Sequence, residues 1–322
     1  MAGAARRGIL SRMRAMTVTS FGGPEVLQPA DLPRPEPLPT EVLVRVVAAG
    51  VNPVDWKTRA GKGMAAVLGE PPFVVGWDVA GVVEAVGHGV TLLAPGDEVF
   101  GLPWFPRAAG AYAEYVTAPS RQFVRKPPGL SFEQAGGLAL AGLTAWQILV
   151  DTANVQPGQR VLVTAAAGGV GHVATQVAKA RGALVLGTAR AEKHEALRRF
   201  GVDEPIDYTA ADVAEVAGSV DVVVDLVGGS ADLAATLGPG GLFVNVPSAA
   251  PADLAGAVEA RGATYTGFLV EPDHEGLFAL SQIVEDGELT VEVARTFPLT
   301  AAAEAHAVGE EGRTTGKLVL TL

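Results

Sequence analysis

Residues 160 to 190 read RVLVTAAAGGVGHVATQVAKARGALVLGTAR, and no other stretch restricts the fold as tightly. An apolar run of strand length gives way to a helical pattern, GHVATQVAKAR, and a second apolar run, ALVLGTA, follows. Gly168, Gly169 and Gly171 stand at the junction, among alanines that would otherwise favour helix. Gly169, Gly171 and Ala174 fit G-x-G-x-x-G/A where that pattern is informative, after a strand and at the opening of a helix. Glycine there permits a tight turn and lets backbone N–H groups approach a pyrophosphate, whose charge also meets the positive end of the helix dipole. Such turns also serve plain packing, so the surrounding pattern decides. From Ser131 to about Phe268, apolar strands alternate with helical segments and short turns, and the strands read continuously apolar, as strands buried on both faces do. This predicts a doubly wound α/β domain that binds a dinucleotide.

The flanking chain has another texture. Up to about Arg125 it shows short β-branched runs (EVLVRVVAAGV, WDVAGVVEAVG, DEVFGL, AYAEYVTA) punctuated by Pro and Gly. After Pro272 come a helical stretch, GLFALSQIVEDGEL, and two strand patterns, VEVARTFPL and GKLVLTL. The last strands match the first domain, which predicts that the α/β domain is inserted into a β-rich one. The expected division is residues 13–125 with 272–322 for the β-rich domain, residues 126–271 for the dinucleotide domain, and residues 1–12 as a disordered leader.

Composition narrows the partners. The chain has 322 residues with 24 basic and 35 acidic side chains, a net charge of −11, so no global field draws it to nucleic acid or anionic lipid. No stretch approaches 18 uninterrupted apolar residues, and the basic opening lacks a continuous apolar core. The expectation is a cytoplasmic protein with a small-molecule substrate and neither a nucleic-acid nor a membrane partner. There is no cysteine, which excludes disulfides, thiolate chemistry and cysteine-built zinc sites. His88, His172, His194, His274 and His306 show no ligand spacing, so surface or capping roles and no metal are expected.

An NAD site usually carries a carboxylate at the end of the second strand, for the ribose 2′-hydroxyl. Here that strand ends in Thr188 and Ala189, followed by Arg190 and Lys193. Two cations where a 2′-phosphate would need them point to NADPH. The opposing reading leaves both in solvent and gives the ribose to Glu192.

Several motifs in order resemble one family: GVNPVDWKTRAG (50 to 61), VVGWDVAGVVEAVG (74 to 87), APGDEVFG (94 to 101), GAYAEYVTAP (110 to 119), ALAGLTAWQIL (139 to 149), AAAGGVG (165 to 171) and TTGKLVL (314 to 320). The chain resembles the medium-chain dehydrogenase/reductase superfamily, within it the zinc-independent quinone oxidoreductase and enone (alkenal) reductase branch. The resemblance implies a GroES-like β-rich domain with an inserted Rossmann domain and a homodimer joined through the Rossmann sheets. It implies that Gly168, Gly169, Val170 and Gly171 hold the pyrophosphate, and that Arg190, Lys193 and Tyr208 hold the 2′-phosphate. Asn52 and Thr144 would lie near the nicotinamide, with Val227, Phe268 and Lys317 along the cofactor groove. Zinc-dependent relatives have Cys and Gly-His-Glu where this chain has Val51-Asn52 and Gly76-Trp77-Asp78.

Without a metal to polarise an alcohol oxygen, reduction of a conjugated acceptor asks less of the protein, because negative charge spreads through a π-system. Asn52 and Lys57 are the expected catalytic donors, with Asp55 able to orient either. The opposing reading makes this run a stabilising ion-pair turn. Trp56, Trp104, Phe105 and Tyr112 are expected to wall the pocket for a flat substrate, and Trp77 to be core. The expected function is NADPH-dependent reduction of a quinone or of an α,β-unsaturated ketone or aldehyde; a dedicated biosynthetic enoyl reductase and a non-catalytic NADPH-binding protein are the alternatives.

Overall fold

The computed structural model describes residues 11–228, 231–247 and 250–322. Six parallel strands form one sheet in the order Glu204–Asp207, Leu184–Ala189, Arg160–Val163, Val220–Asp225, Leu237–Asn245, Thr264–Gly267. In chain order this is 3-2-1-4-5-6, with the reversal between the first and fourth strands that opens a ligand crevice at their carboxyl ends. The strands bury both faces at period two. Val161, Val163, Val185, Val222 and Val224 enter one core, while Leu162, Leu186, Val223 and Phe243 enter the core on the opposite face. The continuous apolar pattern is thereby accounted for.

The β-rich part is built on the strand Glu41–Val51. It pairs antiparallel with Val79–Val86, Tyr115–Pro119 and Lys317–Thr321 in a seven-stranded sheet. Register shifts along it, one of them between Val46 and Ala48, change which face its side chains meet. Val42, Val44, Val46, Ala49 and Val51 pack in the β-rich core, whereas Ala48 joins the core shared with the parallel sheet. Leu318 lies opposite Val51, so the ladder brings Lys317 beside Asn52 although 265 residues separate them.

The two parts meet through the helix Phe132–Trp146, which Ser131 caps by accepting the Gln134 N–H. Its apolar face belongs to a core that runs without a break from Trp77 and Phe100 to Val161 and Val185. Small residues allow the approach: a Cβ on Gly136 would lie 3.0 Å from the Cβ of Ala48, and one on Gly50 would press on the carbonyl of Gly136 and on Asp78.

The helix His274–Glu285, grouped after Pro272 with the β-rich part, packs on Phe132–Trp146 and on the strand Phe123–Arg125 of the β-rich sheet, and Leu277 and Leu280 join the shared core. The chain rejoins the β-rich sheet at Val293–Pro298. At the other end, Arg12 already pairs with Pro33 in the strand Arg12–Val18, one residue inside the expected leader, whose residues 1–10 lie outside the described residues.

Gly50→Ala tests the close approach. The added methyl meets backbone and a buried carboxylate, so the variant should lose about 1–3 kcal/mol of stability, read by chemical denaturation. Unchanged stability would show that helix and strand have slack.

Candidate active site

The turn after Arg160–Val163 leads into the helix Gly171–Ala180. Its left-handed residue is Ala165, with φ 47°, and none of Gly168, Gly169 and Gly171 is left-handed. The tight turn therefore falls on an alanine, at about 1–2 kcal/mol of strain. It is held by Thr188, whose hydroxyl accepts the Ala165 N–H at 3.1 Å and whose carbonyl accepts the Ala166 N–H at 3.0 Å. Gly171 serves packing, since a Cβ there would collide with the backbone of Ala165 and Ala166. His172 is fully buried, against the surface or capping role expected. Its Nε2 accepts the Glu292 N–H at 3.3 Å, so Nδ1 carries the proton and donates to the Gly168 carbonyl at 2.9 Å. Desolvation pushes the ring down to about 4.

Asn52 caps the helix Pro53–Arg59 where the strand Glu41–Val51 ends. It is 1% exposed, and two residues fix its side chain. Its Nδ2 donates to Asp78 Oδ2 at 2.8 Å, and Lys317 Nζ donates to its Oδ1. Lys317 Nζ also lies 3.6 Å from Asp78 Oδ2. The second oxygen of Asp78 accepts the Leu140 N–H, mid-helix, at 2.6 Å. This arrangement defines which end of the amide is oxygen and leaves one of its two hydrogens uncommitted.

Gly168, Gly169, Val170 and Gly171 line a cavity of about 310 Å³ together with Asn52, Trp56 and Lys317. A second cavity of about 180 Å³ shares Asn52, Leu140, Val170 and Leu226 with it and adds Lys57, Phe105, Thr144 and Phe268. The glycine turn, the proposed donors and an apolar wall are thus brought together. Phe105 reaches the wall while only 5% exposed, packed edge-on against the fully buried Trp77 at 5.4 Å. Thr144 turns its hydroxyl inward to the Leu140 carbonyl at 2.7 Å. Lys57 is half-buried, and its ammonium makes no hydrogen bond or ion pair with any described residue. Asp55 does not orient it; that carboxylate accepts the Asn52 N–H at 2.7 Å, and burial pushes it up to about 7.

Two aromatic residues lie elsewhere. Trp104 bonds the Thr117 carbonyl through Nε1 at 2.8 Å and lines a separate cavity of about 240 Å³ beside Met13. Tyr112 is fully buried in the β-rich core. Neither borders the two cavities at Asn52: Trp104 and Phe105 are neighbours in one loop but turn to different cavities, and Tyr112 packs into the β-rich core.

A groove of about 560 Å³ runs past Thr164, Thr188, Tyr208, Val227 and Gly312. Arg190 follows the second strand fully exposed, its Nε 3.3 Å from the Tyr208 hydroxyl. Lys193 spends two donors on the carbonyls of Arg313 at 2.7 Å and Thr314 at 3.0 Å, tying the dinucleotide domain to the C-terminal segment. Sequence reasoning passed over Asp78 as a polar anchor and the loop at Arg313, and it expected a surface or capping role for His306, which is fully buried. Asp78 stood in a quoted motif but carried no partner that spacing reveals.

A family model described as "Alcohol dehydrogenase GroES-like domain" matches residues 38–128, and one described as "Zinc-binding dehydrogenase" matches residues 200–320. Over 97% of its length the chain is 36% identical to the NADPH-dependent alkenal/one oxidoreductase of Arabidopsis thaliana, covering 80% of that protein. It is 34% identical to the quinone oxidoreductase of Homo sapiens over 96% of its length and 98% of the relative. The solved quinone oxidoreductase of Coxiella burnetii is 36% identical, covers 97% of this chain with 100% of its own, and superposes with a TM-score of 0.92. The chain belongs to the medium-chain dehydrogenase/reductase superfamily. It is an oxidoreductase with a GroES-like and a Rossmann-like part, as its motifs predicted.

Zinc, named for one matching family model, does not fit these residues. The chain has no cysteine, the Asp78 carboxylate meets an ammonium and an amide, and both nitrogens of His172 are engaged. Among the described residues no group of three or more His, Cys, Asp or Glu side chains is placed to hold a metal ion. A dinucleotide does fit: Gly168, Gly169 and Gly171 put no side chain of their own into the cavity they line, and Tyr208, which lines the groove, has Arg190 beside its hydroxyl. Among the described residues, no helix is long and apolar enough to cross a membrane.

Lys317→Met tests the buried pair. It strands the Asp78 charge and should cost about 3–5 kcal/mol, part of which Asp78→Asn restores in the double variant. A loss below about 1 kcal/mol would place the pair in the class of solvated ion pairs.

Proposed function

We propose that this oxidoreductase reduces conjugated carbonyl compounds, quinones or α,β-unsaturated ketones and aldehydes, with NADPH and without a metal. The observation that carries the reading is the shared wall at Asn52, Leu140, Val170 and Leu226 between the glycine-lined cavity and a small apolar one. Gly168, Gly169, Val170 and Gly171 would hold the pyrophosphate, with Thr144, Phe268 and Lys317 nearer the nicotinamide and Val227 along the groove. Arg190 and Tyr208 would meet the 2′-phosphate, with the remaining Lys193 donor beside them. When bound, NADPH supplies a hydride. Asn52 and Lys57 stabilise the negative charge that develops on the acceptor oxygen. Phe105 and Phe268 hold a flat acceptor by apolar contact, and water supplies the proton that completes the reduction. The relatives named for quinone and for alkenal/one substrates support this class. The same reading makes the enzyme a cytoplasmic homodimer joined through the free edge of Thr264–Gly267.

The deciding measurement follows nicotinamide absorbance with NADPH and NADH against 9,10-phenanthrenequinone and a simple enone. Oxidation of NADPH by either acceptor supports the reading, and no turnover on any conjugated carbonyl sinks it. Lys57→Met should lower kcat on the order of 10²-fold, the scale of losing one transition-state donor. No change in kcat would return Lys57 to the role of a solvated surface cation.

Cofactor choice has its own variant. Arg190→Ala should weaken NADPH binding on the order of tenfold through lost charged hydrogen bonds and leave NADH binding unchanged. Equal losses for both cofactors would mean that Arg190 shapes the turn instead of meeting a phosphate.

A further inference from the structure

Behind Asn52 lies a file of polar side chains that hydride transfer itself does not use. Asp55, Tyr112, His306 and Arg59 are each no more than 2% exposed. They come from the helix Pro53–Arg59, the segment before the strand Tyr115–Pro119, and the helix Ala302–Glu310. Arg59 Nη1 lies 3.3 Å from His306 Nδ1, and His306 Nε2 lies 3.0 Å from the Tyr112 hydroxyl. Tyr112 donates to Asp55 Oδ2 at 3.1 Å, the oxygen that accepts the Asn52 N–H at 2.7 Å.

A guanidinium only donates, so His306 Nδ1 holds a lone pair and the ring proton sits on Nε2. His306 therefore donates to Tyr112, Tyr112 donates to Asp55, and the file points one way. Arg59 is anchored at its far end by Glu310 at 2.5 Å and by the Gly22 carbonyl at 3.2 Å. Desolvation, with the charge of Arg59, pushes His306 down to about 3, which keeps the ring neutral. The other oxygen of Asp55 is buried without a hydrogen-bond partner in the structure. A carboxylate that served packing alone would be expected to satisfy both oxygens; here the donors converge on the one that grips Asn52.

We propose that Tyr112 and His306 are positioning residues: acting through Asp55, they hold the Asn52 turn so that its amide keeps the geometry the reduction needs. The proposal rests on the reductase reading for its kinetic consequence, but not for its structural one. Asp55 faces Asp78 and Lys317 on the strand side and Tyr112 from its loop; Arg59, His306 and Glu310 stand behind Tyr112. Burial raises its carboxyl to about 7, Asp78 adds to the rise, and the Asn52 N–H, the Tyr112 hydroxyl and Lys317 oppose it. Ionised Asp55 holds the Asn52 N–H most strongly, so the grip weakens as pH falls through that value. Deleting the Tyr112 hydroxyl removes one opposing influence and moves the transition to higher pH.

The backbone amide resonance of Asn52 reads the grip directly in the free wild-type protein. It should titrate with a midpoint near 7, shift to a higher midpoint in Tyr112→Phe, and stay flat in Asp55→Asn. With NADPH and a conjugated acceptor, Tyr112→Phe and His306→Leu should lower kcat on the order of tenfold or more, as a small misplacement does. Acceptor KM and NADPH affinity should hold within about twofold if ground-state binding is untouched. His306→Gln, which still accepts from Arg59 and donates to Tyr112, should retain the wild-type kcat. A flat Asn52 resonance in the wild type overturns the proposal, as does a Tyr112→Phe variant with unmoved midpoint and kcat. The resonance needs neither cofactor nor acceptor, so its titration in an inactive protein would sustain the positioning network while removing the reductase reading.

Discussion

The structure depends on one buried carboxylate. Asp78 is fully buried, and burying a charge costs several kcal/mol unless its lone pairs and its charge are answered. They are answered from three distant segments: the Leu140 N–H in the joining helix, the amide of Asn52, and the ammonium of Lys317 from the last strand. Packing makes room for this, because Gly50 has no side chain to keep Asp78 away. The quoted segments GVNPVDWKTRAG, VVGWDVAGVVEAVG, ALAGLTAWQIL and TTGKLVL are therefore parts of one constellation. A substitution at Gly50, Asp78 or Lys317 is felt at Asn52.

A second set of contacts fixes this constellation against the cofactor turn. The Gly316 N–H donates to the Ala167 carbonyl at 2.9 Å, inside the turn itself, and the Lys317 N–H donates to the Glu292 carbonyl at 2.8 Å. Glu292 in turn gives its N–H to His172, which holds Gly168, and the Gln176 side chain both accepts from and donates to the Thr290 backbone. Gly316, with φ 79°, is the residue this crossing requires, since a Cβ would strike the Glu292 carbonyl. The glycine turn and Asn52 belong to different parts of the fold, yet they share a frame of backbone hydrogen bonds that sets the distance between them.

What was legible in the sequence was local. Alternating apolar strands and helices gave the parallel sheet, and the return of strand texture near the C-terminus placed the last strands in the β-rich sheet. The glycine turn could be located, but its left-handed residue could not, because Thr188 on another strand is what holds Ala165 there. Asp78, Tyr112 and His306 carry no local signal, since their partners lie tens to hundreds of residues away. The aromatic residues misled for a related reason. The residue order says that Trp104 and Phe105 are adjacent in a loop, but only the fold says that Phe105 faces the crevice and Trp104 a separate cavity.

The two lysines near Asn52 show how the same residue type can be put to opposite uses. Lys317 is 3% exposed, and its charge is largely spent on Asp78. Lys57 borders the small apolar cavity and meets no carboxylate among the described residues. Its field is thus available to a ligand, and beside apolar walls such a field acts with less screening than in bulk water. A single flexible ammonium is still weaker than a metal ion at polarising an isolated carbonyl or alkoxide, which a Lewis acid stabilises by several kcal/mol. An acceptor that spreads its own developing charge makes up that difference, whereas a simple ketone does not. That difference is the physical ground, separate from the names its relatives carry, on which we propose a conjugated substrate for the site at Asn52 and Lys57.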